Sequence, residues 1–454
     1  MKKSSLLFIL SGFLLLVGCS SLFVKEEPNY IKVNGTQFEL DGRPYYFVGT
    51  NLWYGYYLGS PGQTGNRERL VRELDKLKSL GITNLRVCAA SEESEMERSV
   101  KPAIQKAPGV YDENLLEGLD FLLAEMNKRE MHAVLFLNNY WQWTGGMAQY
   151  NSWFGDGKVP DPDNPNIGYG LFMDYSAEFY NNDKAKEQFR KYLFDIVNRK
   201  NKFTGKYYYE DPAIMAWQLA NEPRPGRNEK YLEQFYIWIE ETAQYIHSLD
   251  SNHLVTTGSE GLAGSLQSEE IFLKSHGSRY IDYATMHLWP KNWGWFDANK
   301  IDETYPATEK NAIEYIGKHL NYARQLNKPI IMEEFGIPRD SEKCKTGTPT
   351  TARDKYFNAI FKVVEDSAAA GAPLAGTNFW GWGGEGRSIN EDNVWRIGDP
   401  YTGDPAQEPQ GLNSVYDTDY FTLEILKIHS MKMERLREEE LLMKKINTAS
   451  VNAK

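Results

Sequence analysis

Two glutamates stand at the ends of short apolar runs more than a hundred residues apart. Glu222 closes the run IMAWQLANEP at residues 214–223, and Glu334 falls in PIIMEEFG at residues 329–336. An apolar run that ends in acid reads as a buried strand carrying a charge to the rim of a sheet. Two carboxylates brought face to face can divide the work of a hydrolysis. One gives a proton to the leaving oxygen while the other attacks carbon, and together they cleave a glycosidic bond with retention of configuration.

The elements that must position them alternate along the chain. Strand-like runs lie at 46–50, 83–87, 133–137, 214–219, 254–257, 283–286, 330–333 and 376–379. Helical spacing occupies 67–80, 115–127, 185–197, 230–249, 267–273, 308–325 and 353–370, with a last helix at 422–435. In the first helix Leu70, Leu74, Leu77 and Leu80 share one face and Gly81 ends it. Eight apolar strands alternating with helices predict an α/β fold, the (β/α)8 TIM barrel. Residues 31–46 add a small N-terminal β-hairpin with Asn34-Gly35 and Asp41-Gly42 as turns. Residues 155–182 form a Pro-, Asp-, Asn- and Gly-rich insertion after strand three. One catalytic domain is expected at 30–436, with a charged frayed tail at 437–454.

A barrel of this kind gathers the C-terminal ends of its strands on one face. Asn51 and Trp53 follow strand one, and Arg86 lies in strand two. Asn138-Asn139-Tyr140-Trp141 follows strand three, and Asn221-Glu222 follows strand four. His287 and Trp289 end strand six, Glu334 strand seven, and Trp380 strand eight. Each has a plain explanation alone: an ion pair, a core histidine, an aromatic packed in the barrel. Their arrival at the same end of successive strands favours a site.

This set resembles glycoside hydrolase family 5 of clan A, over about residues 30–430. The most specific strings are LANEP at 219–223 and EFG at 334–336. LNNYWQWTGGMAQYNSW at 137–153 and MHLWPKNW at 286–293 are similar to loops of the endo-β-1,4-mannanase branch. The resemblance implies a retaining double displacement on mannan, glucomannan or galactomannan, with no cofactor or metal. Glu222 would be the acid/base, with a raised pKa, and Glu334 the nucleophile, kept ionised by Arg86. Asn221 would meet the sugar 2-OH, and His287 would touch sugar hydroxyls or position an acidic partner. Trp380 would be the floor under the sugar. Trp53, Trp141 and Trp289 would bind substrate, with Trp143, Trp153, Trp293 and Trp295 lining further subsites. The motif selects Glu334 over Glu333, and strand alternation then turns Glu333 toward the surrounding helices or a neighbouring loop. Many family members carry Tyr where this chain has Trp289. The competing readings are a β-1,4-glucanase or other β-glycosidase of the family, and a non-catalytic glycan-binding lipoprotein.

Composition narrows the partners. The 454 residues carry a net charge of −11 with pI about 5.4, which excludes nucleic acid as a natural partner. Lys2 and Lys3 precede an apolar run at 6–17, too short to span a bilayer. Leu16-Val17-Gly18-Cys19 resembles a bacterial lipoprotein signal. That resemblance implies removal of 1–18, lipid on Cys19, a tether to residue 29 and attachment to an envelope membrane, outer-membrane or periplasm-facing. Cys88 and Cys344 show no disulfide or metal spacing, and the seven histidines are scattered.

Overall fold

The computed structural model describes residues 29–155 and 157–452. Among these, eight parallel strands form one sheet: β1 Phe47–Asn51, β2 Asn84–Cys88, β3 His132–Phe136, β4 Ile214–Gln218, β5 Leu254–Thr256, β6 Ala284–Leu288, β7 Ile330–Phe335 and β8 Leu374–Phe379. Hydrogen bonding runs β5-β4-β3-β2-β1-β8-β7-β6. A parallel bridge between Thr256 and Tyr283 brings β5 against β6 and closes the barrel, and Thr256 Oγ1 donates to the Tyr283 carbonyl at 2.9 Å.

The helices that return the chain are α1 Arg67–Ser79, α2 Glu113–Asn127, α3 Asp183–Val197, α4 Leu232–Leu249, α5 Glu269–His276, α6 Ile301–Leu326, α7 Thr351–Ala369 and α8 Tyr420–Asn452. Their starts are written locally: Asn66, Asp112, Asn182 and Ser268 each accept a backbone N–H of the first turn that otherwise lacks a partner. Leu70, Leu74 and Leu77 are buried as their spacing predicts, and each stabilises by about 2 kcal/mol relative to exposure.

The barrel interior is layered. Phe47, Val134, Met215, Ala216, Tyr283 and Ile331 fill its base with Phe38 of the N-terminal segment. Above them Asn378 Nδ2 donates to Asn84 Oδ1 at 2.9 Å. A charged layer built on Arg86 follows, and the mouth opens above it.

Three expectations change. The N-terminal hairpin is a three-stranded antiparallel meander, Lys32–Asn34, Gln37–Leu40 and Arg43–Pro44, because both predicted turns form and each adds a strand. The insertion at 155–182 is not irregular throughout: helix Gly168–Ala177 packs within it. The segment from 437 is not frayed in the described structure, because α8 continues to Asn452 and Tyr46 hydrogen-bonds Glu440. Glu438 and Glu439 there are exposed on the helix surface.

Candidate active site

Arg86 is the hub of the charged layer. It projects from the middle of β2 and is fully buried, its guanidinium 4.9 Å from the Phe136 ring centre. Its Nη1 donates to Asn51 Oδ1 at 3.1 Å, its Nε to Gln218 Oε1 at 2.9 Å, and its Nη2 to Asn221 Oδ1 at 2.7 Å. The remaining bond runs from Nη1 to Glu334. One cation therefore ties β1, β2, β4 and β7 together at the level where the site begins. Planar donation in several fixed directions suits Arg and not Lys.

Glu222 lies just beyond β4, at a left-handed backbone position with φ of 52°. Such a position is costly for a residue with a Cβ and clusters at working sites. Its N–H donates to Gly258 O at 2.9 Å. Trp141 Nε1 donates to its Oε2 at 2.5 Å, and His287 Nδ1 lies 2.7 Å from its Oε1. The same His287 nitrogen is 3.4 Å from Glu334 Oε2, which also accepts Trp289 Nε1–H at 3.1 Å. Trp289 thus supplies a donor to Glu334 from the position where Tyr is common in the family.

Strand alternation fails at β7, and this corrects the expected direction of Glu333. Met286 pairs with Met332 but His287 pairs with Glu334, so Glu333 is the extra residue of a β-bulge. The bulge lets neighbouring side chains both turn inward. Glu333 Oε2 accepts Gln218 Nε2–H at 2.5 Å and lies 3.8 Å from Arg86 Nε, so it faces the barrel axis and not the helices.

His287 Nδ1 and one oxygen each of Glu222 and Glu334 lie within 4.8 Å of one another. Among the described residues this is the one group of His, Cys, Asp or Glu with the geometry to hold a metal. The Arg86 cation against Glu334 opposes a divalent ion there. Two carboxyls this close suit attack and protonation on one bond, since the spacing that admits a water between them is wider, roughly 6.5–9.5 Å.

Electrostatics divide the pair. Burial would lower His287, but the charges of Glu334, Glu222 and Glu333 outweigh it and push it up to about 10, so it is cationic at neutral pH. Burial raises Glu222, but His287, then Arg224 and Trp141, more than offset this and leave it below the usual carboxylate range. Burial also raises Glu334, and with the charge of Glu222 it outweighs His287 and Arg86, leaving it above the usual range. These directions are the reverse of those the family roles imply for the resting site. The physical reason is that the imidazolium sits against Glu222. Among the described residues, the ion pairs of Glu222, Glu260, Glu333 and Glu334 run to Arg86, Arg224 and His287.

The aromatics sort by access. Trp380 and Trp289 meet edge to face at 5.9 Å beside the carboxyls, and Trp141 is half-buried over Glu222. Trp53 does not fit a substrate-binding role: it is 1% exposed and its indole N–H is used by Gly403 O at 3.1 Å. Trp143 is likewise buried, edge to face with both Trp53 and Trp380, so it backs the site wall. Trp153, Trp293 and Trp295 are half-buried and face other aromatics.

Sequence reasoning missed Gln218, Arg224 and Glu260. Asn139 Oδ1 accepts Asn221 Nδ2–H at 3.0 Å. Arg224 pairs with Glu260, and its guanidinium lies 5.0 Å from the Trp141 ring centre. A signal existed for Glu260: it follows β5, the one strand end to which no site residue was assigned. Cys88 and Cys344 are free and buried. Cys19 lies outside the described residues.

Known proteins place this geometry in a family. The family model described as GH family 5 beta-mannosidase-like matches residues 28–438. Mannan endo-1,4-beta-mannosidase 3 of Arabidopsis thaliana is 30% identical over 395 residues, 82% of this chain and 86% of its own length. Mannan endo-1,4-beta-mannosidase 4 of Solanum lycopersicum is 29% identical, over 80% of this chain and 86% of its own. The crystal structure of the family 5 mannosidase from Rhizomucor miehei is 35% identical, with a TM-score of 0.83 over 91% of this chain and 99% of that one. The chain belongs to the β-mannosidase-like proteins of glycoside hydrolase family 5, and its fold is the (β/α)8 barrel of that family.

Proposed function

We propose that the protein is a retaining hydrolase of β-1,4-mannosidic bonds, acting on mannan, glucomannan or galactomannan. The observation that carries this is the meeting of Glu222 and Glu334 across His287, with oxygens within 4.8 Å. In this reading Glu334 attacks the anomeric carbon as the bond to the leaving oxygen breaks. That oxygen takes the proton that Glu222 shares with His287 across their 2.7 Å contact. The product is a mannosyl ester on Glu334. Forming the ester removes the charge of Glu334, so His287 and Arg86 face one carboxylate fewer. The Glu222 carboxylate then takes a proton from water, which attacks the ester carbon and restores Glu334. Arg86, also bonded to Asn221, holds that amide where a sugar 2-OH would lie. The relatives named as mannan endo-1,4-β-mannosidases support the substrate class, as does the Rhizomucor mannosidase variant solved with mannosyl-fructose.

The test is turnover of β-mannan against carboxymethylcellulose by purified protein, with product stereochemistry by NMR. First-formed β-anomer from mannan is expected. Preferential release from cellulose would transfer the reading to a β-1,4-glucanase, and first-formed α-anomer would exclude the double displacement.

A second reading, removal of mannose from chain ends, is favoured by one observation. Glu222 and Glu334 are only 7% and 3% exposed, beneath a wall in which Phe172 of the insertion helix stacks on Trp141 at 6.4 Å. Mannohexaose separates the two: internal cuts spread along the chain support endo action, whereas release of mannose alone supports chain-end action.

We also propose lipid anchoring through Cys19 to a bacterial envelope membrane. The basic start, the short apolar run and the Leu-Val-Gly-Cys string support it. Metabolic labelling with palmitate checks it, and label that persists in a Cys19→Ser variant would exclude that site.

A further inference from the structure

We propose that Tyr169 is a stacking platform for the sugar on the leaving-group side and so a determinant of substrate length. The proposal rests on the reading of Glu222 as the acid. An acid that protonates the glycosidic oxygen must stand beside the departing sugar, so the surface beyond Glu222 faces that sugar. Trp141 occupies that side, its N–H bonded to Glu222 at 2.5 Å. Tyr169 is the next ring outward, meeting Trp141 edge to face with centres 6.0 Å apart and planes at 71°.

Two features separate a platform from a cover. The Tyr169 ring is 46% exposed, although a ring that only sealed Trp141 would be buried. It is also held in place. Its hydroxyl accepts Gln142 Nε2–H at 3.1 Å, and Gln142 is itself buried. The helix Gly168–Ala177 that carries it is pinned at three points. Tyr140 Oη donates to Met173 O at 2.6 Å, Asn151 Nδ2 donates to Tyr175 O at 2.7 Å, and Arg227 pairs with Asp174. An exposed aromatic ring fixed before the ligand arrives binds a flat apolar surface with little ordering cost. The C–H face of a pyranose is such a surface. Energy from contacts remote from the broken bond can lower the barrier for the longer substrate.

The experiment compares mannotetraose with an aryl β-mannoside, whose leaving group carries no sugar. In Tyr169→Ala the ratio of kcat/KM for mannotetraose to that for the aryl mannoside should fall about tenfold, equivalent to ~1.4 kcal/mol. Tyr169→Phe, which keeps the ring, should stay within about threefold of wild type in that ratio. An unchanged ratio in Tyr169→Ala, or an equal fall in both variants, overturns the platform. If wild type turns over neither substrate, the hydrolase reading fails and the platform with it. Turnover by wild type with no change in ratio overturns the platform alone.

Discussion

Trp289 donates its indole N–H to Glu334 Oε2 at 3.1 Å, so an unionisable ring holds one carboxylate oxygen while Arg86 holds the other. Trp289→Phe keeps most of the ring and removes the donor. Loss of the donor that orients the attacking carboxylate should reduce kcat by roughly ten- to a hundredfold, with little change in Tm. Trp289→Tyr should recover part of the loss. Steady-state kinetics with thermal melts of both variants check this, and unchanged kcat in Trp289→Phe would remove Trp289 from the mechanism.

The proposed roles of the two glutamates give opposite products in the presence of azide. Glu222→Ala still forms the mannosyl ester from a substrate with a good leaving group, and azide then opens it to β-mannosyl azide. Glu334→Ala has no nucleophile, so azide attacks directly and yields α-mannosyl azide. NMR of the products distinguishes them, and an exchange of anomers would exchange the roles. Without azide, each variant should lose about 10³-fold or more in kcat on mannan.

The buried histidines predict stability that falls on both sides of neutrality. Burial lowers His132 and His319 to about 4 and His276 to about 3, from 6.5. Their stabilising contribution is present above pH 6.5 and is lost as the pH falls toward 3–4, because only the unfolded chain takes up the protons. A displacement of this size is worth roughly 3–5 kcal/mol per group. His287 has the opposite sign: raised to about 10 by its carboxylates, it stabilises fully below pH 6.5 and loses that contribution as the pH rises through 10. Tm measured from pH 4 to 10 should peak near neutrality. His287→Gln should flatten the alkaline arm and leave the acid arm in place.

Gly258 supports Glu222 from the β5 side. It has φ of +81°, and a Cβ there would lie 2.0 Å from Ala220 O, while its carbonyl accepts the Glu222 N–H. Gly258→Ala should cost at least ~2 kcal/mol in stability, because the left-handed conformation and the contact both oppose it. It should also lower kcat by displacing Glu222. Gly317, inside α6 with open space around its Cα, is the contrast: Gly317→Ala should raise Tm, as Ala is favoured by about 1 kcal/mol in a helix. Denaturant titrations of the two variants test the pair.

Most of the scaffold could be read from the chain. Strand and helix periodicity is imposed by burial of one or both faces, so β1–β8, α1–α5 and α7 fall within a few residues of where hydrophobic spacing puts them, whereas α6 begins at Ile301 and not at Thr308. Strand ends are equally legible, because a polar residue ending an apolar run has nowhere to go but the rim. Arg86, Asn221, Glu222, His287, Trp289, Glu334 and Trp380 do converge on one mouth. The extension of α8 was less legible, since Lys, Arg and Glu are good helix formers that carry no burial signal.

Sequence by itself determined the barrel, its closing order of elements and the kinds of group presented at its open end. Tertiary structure alone decided which of those groups meet. The β-bulge in β7 turns both Glu333 and Glu334 inward, and a departure from two-residue alternation depends on the register of a neighbouring strand distant in sequence, at Met286 and His287. Whether an aromatic ring is a wall or a binding surface depends on what packs against it: Gly403 closes over Trp53, while Tyr169 stays open. The division of charge between Glu222 and Glu334 follows from the placement of one imidazolium, and burial and distance exist only once the chain has folded.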